Sequence, residues 1–172
     1  TVWDKPRVIG CAQNYPNHIA LPRGCLGPAL ELLRENNIRS DLHDERFAGE
    51  KLDVNFVGTL RFDQETAMAA MLCNDAGVLS APTAFGKTVT AAAIIARRGV
   101  NALVLVHRTE LLKQWREQLH MFLDIDKGTI GTIGGGKAKP TGKIDIAVMQ
   151  SLSRRGEINP LVENYGHVIV DE

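Results

Sequence analysis

A Gly-Lys-Thr sequence at residues 86–88 has the residue types that bind a polyphosphate. It closes the stretch APTAFGKT, residues 81–88, between an apolar run typical of a short strand and an alanine-rich run typical of a helix. In such a turn the loop amides and the helix N-terminus present N–H groups to an anion. Lys87 would then reach the β- and γ-phosphates, and the Thr88 hydroxyl would hold Mg²⁺. We therefore expect a site for nucleotide phosphates formed by Pro82, Thr83, Ala84, Phe85, Gly86, Lys87 and Thr88.

Two positions depart from the usual glycine pattern of such loops. The pattern begins with glycine where this chain has Ala81, and Ala84 precedes Phe85 and Gly86 in the middle of the loop. The methyl group of Ala84 could restrict the loop, but the amides that bind the anion remain. We expect phosphate binding to survive both changes.

A second group of chemically active residues is the acidic pair Asp171 and Glu172, which follows the apolar run HVIV. An acidic pair at the end of a buried strand suits a nucleotide site. Asp171 would bind Mg²⁺ through its water shell, and Glu172 would orient or deprotonate the attacking water. We expect Lys87, Asp171 and Glu172 to be the catalytic residues, with Thr88 and Asp171 as the metal-binding pair.

The elements that must position these residues alternate between helices and strands. The patterns predict helices over residues 64–73, 87–98, 109–123 and 159–166, and strands over residues 77–81, 101–106, 128–136, 143–150 and 167–170. The third helix has Thr109 as its expected N-cap and one apolar face formed by Leu111, Trp115, Leu119 and Phe122. This alternation predicts an α/β fold with a parallel sheet, whose ligands bind at the carboxyl ends of the strands.

The residues before this region, 1–58, are predicted to form a separate small α+β domain. Strands are expected over residues 6–12 and 18–22, a helix over 27–37, and a strand over 51–58 with alternate apolar residues on one side. The second domain would then comprise residues 59–172.

Composition excludes some classes and leaves others open. The chain has 172 residues with 44% hydrophobic content, enough for a core, and its formal net charge of zero does not indicate a nucleic-acid partner. No apolar run is long enough to cross a membrane. The three cysteines, Cys11, Cys25 and Cys73, are widely spaced, which favours reduced thiols and an intracellular, cytoplasmic location.

The ordered motifs resemble one family. LRFDQ, APTAFGKT, LVLVHRTELLKQW, TIGGGK, AVMQSL and VIVDE occur in the order of the superfamily 2 helicase motifs. Residues 59–172 are therefore similar to a first RecA-like domain, a P-loop NTPase fold, of the restriction-type and xeroderma-pigmentosum-B-like branch. The resemblance implies ATP and Mg²⁺ as cofactors, with Gln64 and Arg61 contacting the adenine, and implies an ATP-dependent helicase.

The resemblance also implies contacts with a nucleic-acid backbone. The matching positions are His107, Arg108, Thr109, Gly134, Gly135, Gln150 and Ser151. DNA is favoured over RNA as the partner, and the small domain at residues 1–58 could also touch DNA. In this family a second RecA-like domain in cis supplies arginines for the transition state, and this chain does not extend to one. We therefore expect the 172 residues alone not to unwind a duplex.

Two alternatives remain open at this point. The chain could belong to another P-loop ATPase, although LRFDQ upstream of the loop favours the helicase motifs. It could also be a catalytically incompetent module that keeps the fold and binds nucleic acid.

Overall fold

The computed structural model describes residues 10–154 and 157–171. The chain divides into two compact units between Glu45 and Arg46, which is earlier than the domain boundary expected at residue 58. Residues 46–58 pack with the second unit because Leu52 and Val54 are buried in its core. As a limit between functional domains, the boundary at residue 58 remains a prediction.

The first unit consists of short elements. Strands β1 (Gln13–Asn14) and β2 (Ile19–Ala20) pair antiparallel, and helix α1 (Leu26–Glu35) follows a 3-10 turn. The structure thus confirms the predicted helix and the strand expected over residues 18–22. None of the side chains described between residues 10 and 45 is buried.

The strand expected over residues 6–12 is only partly within the described chain. Residues 6–9 lie outside it, and residues 10–12 are not a strand.

The second unit contains most of the regular structure. In chain order its elements are β3 (Asn55–Phe56), α2 (Phe62–Leu72), α3 (Lys87–Arg98), β4 (Ala102–Val106), α4 (Thr109–Phe122), β5 (Leu123–Asp124), β6 (Ile130–Gly134), β7 (Lys137–Lys139), β8 (Ile144–Val148), α5 (Met149–Leu152), β9 (Ser153–Arg154), β10 (Glu157–Ile158) and β11 (His167–Asp171). A 3-10 helix, Pro160–Asn164, precedes β11. The helices pack on the central sheet, so the predicted α/β class is confirmed.

Five strands form that sheet in the order β11-β4-β8-β6-β7. The first four run parallel, and β7 is antiparallel at the edge. The register places Asp171 opposite Val106 and Val106 opposite Val148. The carboxyl ends of β11, β4 and β8 are therefore aligned at one edge of the sheet, where α/β proteins bind ligands.

The core explains why these sequences form these elements. The apolar run of β4 is buried at four of its five positions, as expected for a strand covered on both faces. Helix α4 buries Leu112, Trp115 and Leu119 against the sheet. Leu111 and Phe122 of the expected face are half-buried and pack against the same core, and Leu112, which the predicted face did not include, is buried.

The start of α4 also differs from the expectation. The chain bends at residues 107 and 108 after β4, and Arg108, with the extended angles φ −134° and ψ 149°, is the N-cap residue without a side-chain capping bond. Thr109 is already the first helical residue, so its predicted role as N-cap is wrong. Residues 107 and 108 therefore form a two-residue connection at the carboxyl edge of the sheet before the helix begins.

The strand predicted over residues 77–81 is absent from the structure. These residues have no regular secondary structure, and Val78 is 92% exposed. An isolated extended segment leaves its backbone groups to water unless a neighbouring strand pairs with them. Among the described strands, β11 is the outermost of the central sheet and pairs with β4 only. The prediction of a strand over residues 77–81 is therefore wrong, because no described strand pairs with this apolar segment.

In three further segments the observed secondary structure differs from the element predicted by the sequence pattern. The run over residues 128–136 becomes β6 and a hairpin turn, in which Gly135 and Gly136 have φ of 59° and 78°. Two consecutive positive φ values suit a two-residue hairpin, which strongly favours glycine. The strand expected over residues 143–150 stops at Val148 and continues as the short helix α5. The helix expected over residues 159–166 is the 3-10 helix.

A buried carboxylate anchors the opposite edge of the sheet. Asp145, fully buried in β8, accepts bonds from the backbone nitrogens of Thr141 and Gly142, each at 2.8 Å. The Tyr165 hydroxyl also donates to it, at 2.5 Å. Burial and this carboxylate raise the pKa of Tyr165 well above its usual range, so the hydroxyl stays protonated and continues to donate.

Candidate nucleotide-binding site

The phosphate loop turns sharply before α3. The backbone nitrogen of Phe85 donates to the Pro82 carbonyl at 3.2 Å, which closes a turn over residues 82–85. Ala84 in this turn has φ 66°, a left-handed conformation that alanine adopts at a cost of about 1 kcal/mol. Gly86 follows with φ 86° and is the N-cap of α3. The position where glycine is missing is therefore one whose backbone favours glycine.

The loop leaves amide groups available for an anion. The first backbone bond of α3 joins the Thr90 nitrogen to the Gly86 carbonyl at 3.0 Å. The N–H groups of residues 87–89 precede it and have no partner within the helix. Together with the positive end of the helix dipole, they form the kind of cradle that holds a phosphate.

Lys87 is half-buried and folded onto this loop. Its ammonium donates to the Ala81 carbonyl at 3.3 Å. Thr88 is the second helical residue, one position after it. Both side chains thus lie at the N-terminal end of α3, where the sequence predicted them.

Gln64 and Arg61 hold the loop from the start of α2. The amide nitrogen of Gln64 donates to the Phe85 carbonyl at 2.8 Å, and the Arg61 guanidinium donates to the same oxygen at 2.6 Å. The Gln64 amide oxygen accepts from the Arg61 backbone nitrogen at 2.9 Å. Gln64 is only 4% exposed, so it does not simply face solvent.

These contacts add a role that the sequence did not suggest. A primary amide has two N–H donors and two acceptor lone pairs, so Gln64 keeps one of each after these bonds. Contact with an adenine remains a prediction for both residues. Their observed interaction is with the backbone of the phosphate loop.

Asp171 is placed by strand β11 at the carboxyl edge of the sheet. The indole nitrogen of Trp115, in α4, donates to Asp171 Oδ2 at 2.7 Å. Trp115 is 3% exposed. The sequence predicted Trp115 as a core residue from its helical spacing, and no pattern pointed to its contact with the carboxylate. Glu172, the other expected catalytic carboxylate, lies outside the described residues.

The oxygen ligands available here suit a Mg²⁺ ion that is bound partly by the nucleotide, rather than a metal ion enclosed by protein side chains alone. Within residues 10–154 and 157–171, no group of three or more His, Cys, Asp and Glu side chains is arranged to hold a metal ion. Mg²⁺ usually binds one or two carboxylates together with substrate phosphates and water. A hydroxyl at Thr88 and a carboxylate at Asp171 fit that pattern.

The expected nucleic-acid contacts lie on loops that follow neighbouring strands. Arg108 and Thr109 follow β4 and are exposed, and Gln150 and Ser151 in α5 follow β8 and are exposed too. The glycine turn after β6 reaches the start of α4, since a Cβ added at Gly135 would lie 3.1 Å from the Thr109 methyl carbon.

His107 and Gly134 are less accessible than the others. Both are half-buried, and His107 Nδ1 is a buried atom without a hydrogen-bond partner in the described structure. A Cβ at Gly134 would lie 2.6 Å from a side-chain carbon of Val148, so the close packing of β6 and β8 requires glycine there. The structure therefore gives Gly134 a packing role, and its contact with nucleic acid remains a prediction.

The described helices include none with the length and apolar character needed to span a membrane.

The fold and the loop define a class of protein, a RecA-like α/β domain with a nucleotide-phosphate loop. Residues 58–172 match the model of the family described as type III restriction enzyme, res subunit, and the chain belongs to this family. This confirms the resemblance seen in the motifs, a first RecA-like domain of superfamily 2 in the xeroderma-pigmentosum-B-like branch.

Two relatives support this assignment. The chain is 38% identical over 72 residues to the DNA 3'-5' translocase XPB2 of Sulfurisphaera tokodaii, covering 42% of this chain and 16% of that protein. It is 29% identical over 119 residues to the DNA 3'-5' helicase XPB of Mycobacterium tuberculosis, covering 66% of this chain and 22% of that one. The chain therefore spans less than a quarter of the length of either relative.

A solved structure shares the fold. The UvsW helicase of bacteriophage T4 superposes with a TM-score of 0.58 at 16% identity, covering 91% of this chain and 72% of that one. At this identity the likeness concerns the fold.

Proposed function

We propose that the chain provides the ATP-binding first RecA-like domain of a superfamily 2 DNA helicase or translocase. The observation that carries the proposal is the geometry at the start of α3. There the left-handed Gly86 is followed by Lys87 and Thr88 at the first two helical positions, in a helical turn whose backbone amides have no partner within the helix. Asp171, on a strand of the same unit, supplies the carboxylate that a magnesium–nucleotide complex requires.

Each residue has a stated task in this proposal. The loop amides and the Lys87 ammonium bind the β- and γ-phosphates, while Thr88 and Asp171 hold Mg²⁺ directly or through water. Mg²⁺, when bound, neutralises phosphate charge. Glu172 orients the attacking water. Gln64 and Arg61 hold the loop and also contact the adenine, which selects ATP over GTP.

Nucleic acid binds the strand-end loops. Arg108, Thr109, Gly135, Gln150 and Ser151 contact the backbone of a DNA strand, because side-chain and amide donors of this kind bind phosphates without reading sequence. DNA is favoured over RNA because the names of both relatives describe a protein that acts on DNA. The family description suggests a restriction system.

Hydrolysis that drives movement needs a second RecA-like domain, whose arginines stabilise the transition state. Without such a group the rate typically falls by about 10³-fold or more. The 172 residues alone are expected to bind nucleotide and not to separate strands. We place the protein in the cytoplasm, because the wide and irregular spacing of Cys11, Cys25 and Cys73 favours reduced thiols.

The test is Mg²⁺-dependent binding of ATP to the 172-residue chain, measured by calorimetry with GTP as competitor. We expect saturable binding that excess GTP displaces poorly and that Lys87→Ala reduces at least tenfold. Lys113→Ala is the matched control because Lys113 is an exposed lysine in α4. Equal binding of both nucleotides would remove the adenine contact, and binding unaffected by Lys87→Ala would contradict the assignment of the phosphate loop.

A further inference from the structure

We propose that Trp115 is a positioning residue for the magnesium carboxylate and connects it to the nucleic-acid loops. This inference rests on the proposed function, because it concerns the same site. Its basis is the 2.7 Å bond from the indole nitrogen of Trp115 to Asp171 Oδ2. That bond joins helix α4 to the last described residue of β11 across 56 positions of the chain.

The chemistry of the donor suits a metal ligand. A buried indole N–H must find an acceptor, and many acceptors, such as a backbone carbonyl, would satisfy it. Here the acceptor is the carboxylate expected to bind Mg²⁺. The indole is neutral, so it restricts rotation of Asp171 without cancelling the negative charge that attracts the cation. An ionised carboxylate accepts about four hydrogen bonds, so Oδ1 and further lone pairs stay available for Mg²⁺ or its water ligands.

The position of Trp115 on α4 gives this bond a second consequence. Thr109 begins the helix, and Trp115 follows six residues later, about 9 Å along the axis at the usual helical rise. Leu112 and Leu119, on either side of Trp115, are buried against the sheet, so the helix is held over its length. A displacement of Arg108 and Thr109 by a bound strand would reach Asp171 through one rigid element and one hydrogen bond.

The experiment uses Trp115 as its own reporter. The chain has two tryptophans, so Trp3→Phe leaves emission from Trp115 alone. In this parent, the Mg²⁺ concentration for half-maximal binding of a fluorescent ATP analogue, excited directly, is compared with that of Trp115→Phe. Leu119→Val is the control, because it removes volume from the same buried face and leaves the Asp171 bond intact.

We expect Trp115→Phe to raise the required Mg²⁺ about tenfold while binding without Mg²⁺ is unchanged, and Leu119→Val to match the parent. We also expect Trp115 emission to change when Mg²⁺ and the analogue bind, and when Asp171→Ala removes the acceptor. Adding single-stranded DNA to the parent should change the same emission if α4 transmits the contact.

Two outcomes of the Mg²⁺ titration would overturn the inference while leaving the proposed function in place. One is an equal Mg²⁺ requirement in the parent and Trp115→Phe. The other is an equal increase in Trp115→Phe and Leu119→Val, which would show a packing effect. If circular dichroism shows that Trp115→Phe does not fold, the emission of the parent decides, and emission that responds neither to Mg²⁺–nucleotide nor to Asp171→Ala overturns the inference. A parent that binds no nucleotide would overturn the proposed function as well.

Discussion

The amide nitrogen of Gln64 donates to the Phe85 carbonyl at 2.8 Å, which ties the start of helix α2 to the phosphate loop. The Arg61 guanidinium donates to the same oxygen, so two side chains hold one peptide unit of the loop. Phe85 itself lies between two left-handed residues, Ala84 and Gly86. A bond at this point fixes the direction of the following amides, which are the groups that bind phosphate.

Gln64→Ala is expected to weaken the binding of inorganic tripolyphosphate, which has no base. Losing one hydrogen bond of about 1 kcal/mol predicts a roughly fivefold loss of affinity, with Arg61 retaining part of the contact. Competition of tripolyphosphate against a fluorescent nucleotide measures this. Thr66→Ala is the control, because Thr66 is exposed on the same helix and bonds only within it. A loss confined to ATP, with tripolyphosphate unaffected, would show that Gln64 acts on the base alone.

Substitutions at Ala84 should follow the backbone conformation. Glycine adopts φ 66° without strain, so Ala84→Gly should bind ATP at least as tightly as the parent. Its unfolding free energy should change by less than about 1 kcal/mol, since glycine also gains entropy in the unfolded chain. Ala84→Val should bind about tenfold more weakly, because a β-branched residue is a severe outlier at positive φ. Calorimetric titration and urea unfolding of both variants provide the measurements, and equal ATP affinity in the two variants would contradict the prediction.

Removing Arg108 tests the nucleic-acid loops. Arg108→Ala should weaken binding of single-stranded DNA and reduce the slope of log K against log salt by about one unit, as the loss of one phosphate contact predicts. Arg116→Ala removes the same charge from an exposed position further along α4 and should leave the slope unchanged. Fluorescence anisotropy at several salt concentrations measures both variants. If the two slopes fall together, the effect is one of general charge, and Arg108 makes no specific contact.

Stability should decrease in mild acid through His167. Burial, with a contribution from the nearby Arg98 charge, lowers the pKa of His167 to about 4, so the folded state holds it neutral. The unfolded chain binds its proton near pH 6.5. The stability that neutral His167 contributes to the free energy of unfolding is therefore fully present above about pH 6.5. It decreases as the pH falls toward 4, by about 3 kcal/mol at most.

Urea unfolding between pH 4 and 7.5 measures this loss. His167→Gln should show a shallower decline than the parent, while His18→Gln, at an exposed histidine, should follow the parent curve. Parallel curves for the parent and His167→Gln would contradict the assignment.

The sequence was enough to predict those parts of the site that are formed by residues close together in the chain. Lys87 and Thr88 follow a glycine and open a helix, and neighbouring residues of the chain alone specify that geometry. The position of Asp171 was also predictable, since an apolar strand ending in a carboxylate must reach the edge of a parallel sheet. The family resemblance supplied the remaining residues.

The contacts between distant segments were not predictable in the same way. Helical spacing shows that Trp115 is buried, but it does not show that Asp171 lies against it, because burial patterns identify a face and not a partner. The same limit applies to residues 77–81, because their strand-like pattern does not show whether another strand is available to pair with them. The unusual loop backbone at Ala84 was the one such feature with a sign in the sequence, since alanine at a glycine position suggested a restricted loop.

Strand β11 has a consequence for handling the chain. Its pairing with β4 leaves the opposite side without a hydrogen-bonded strand in the described structure, and Val168 and Val170 are 42% and 61% exposed beside it. Open edges of this kind recruit strands from other molecules. Two copies could therefore extend one sheet through β11, and light scattering of the chain would then rise steeply with protein concentration. Dilute samples would give the cleaner titrations, and a lysine in place of Val170 would be the first change to make for solubility.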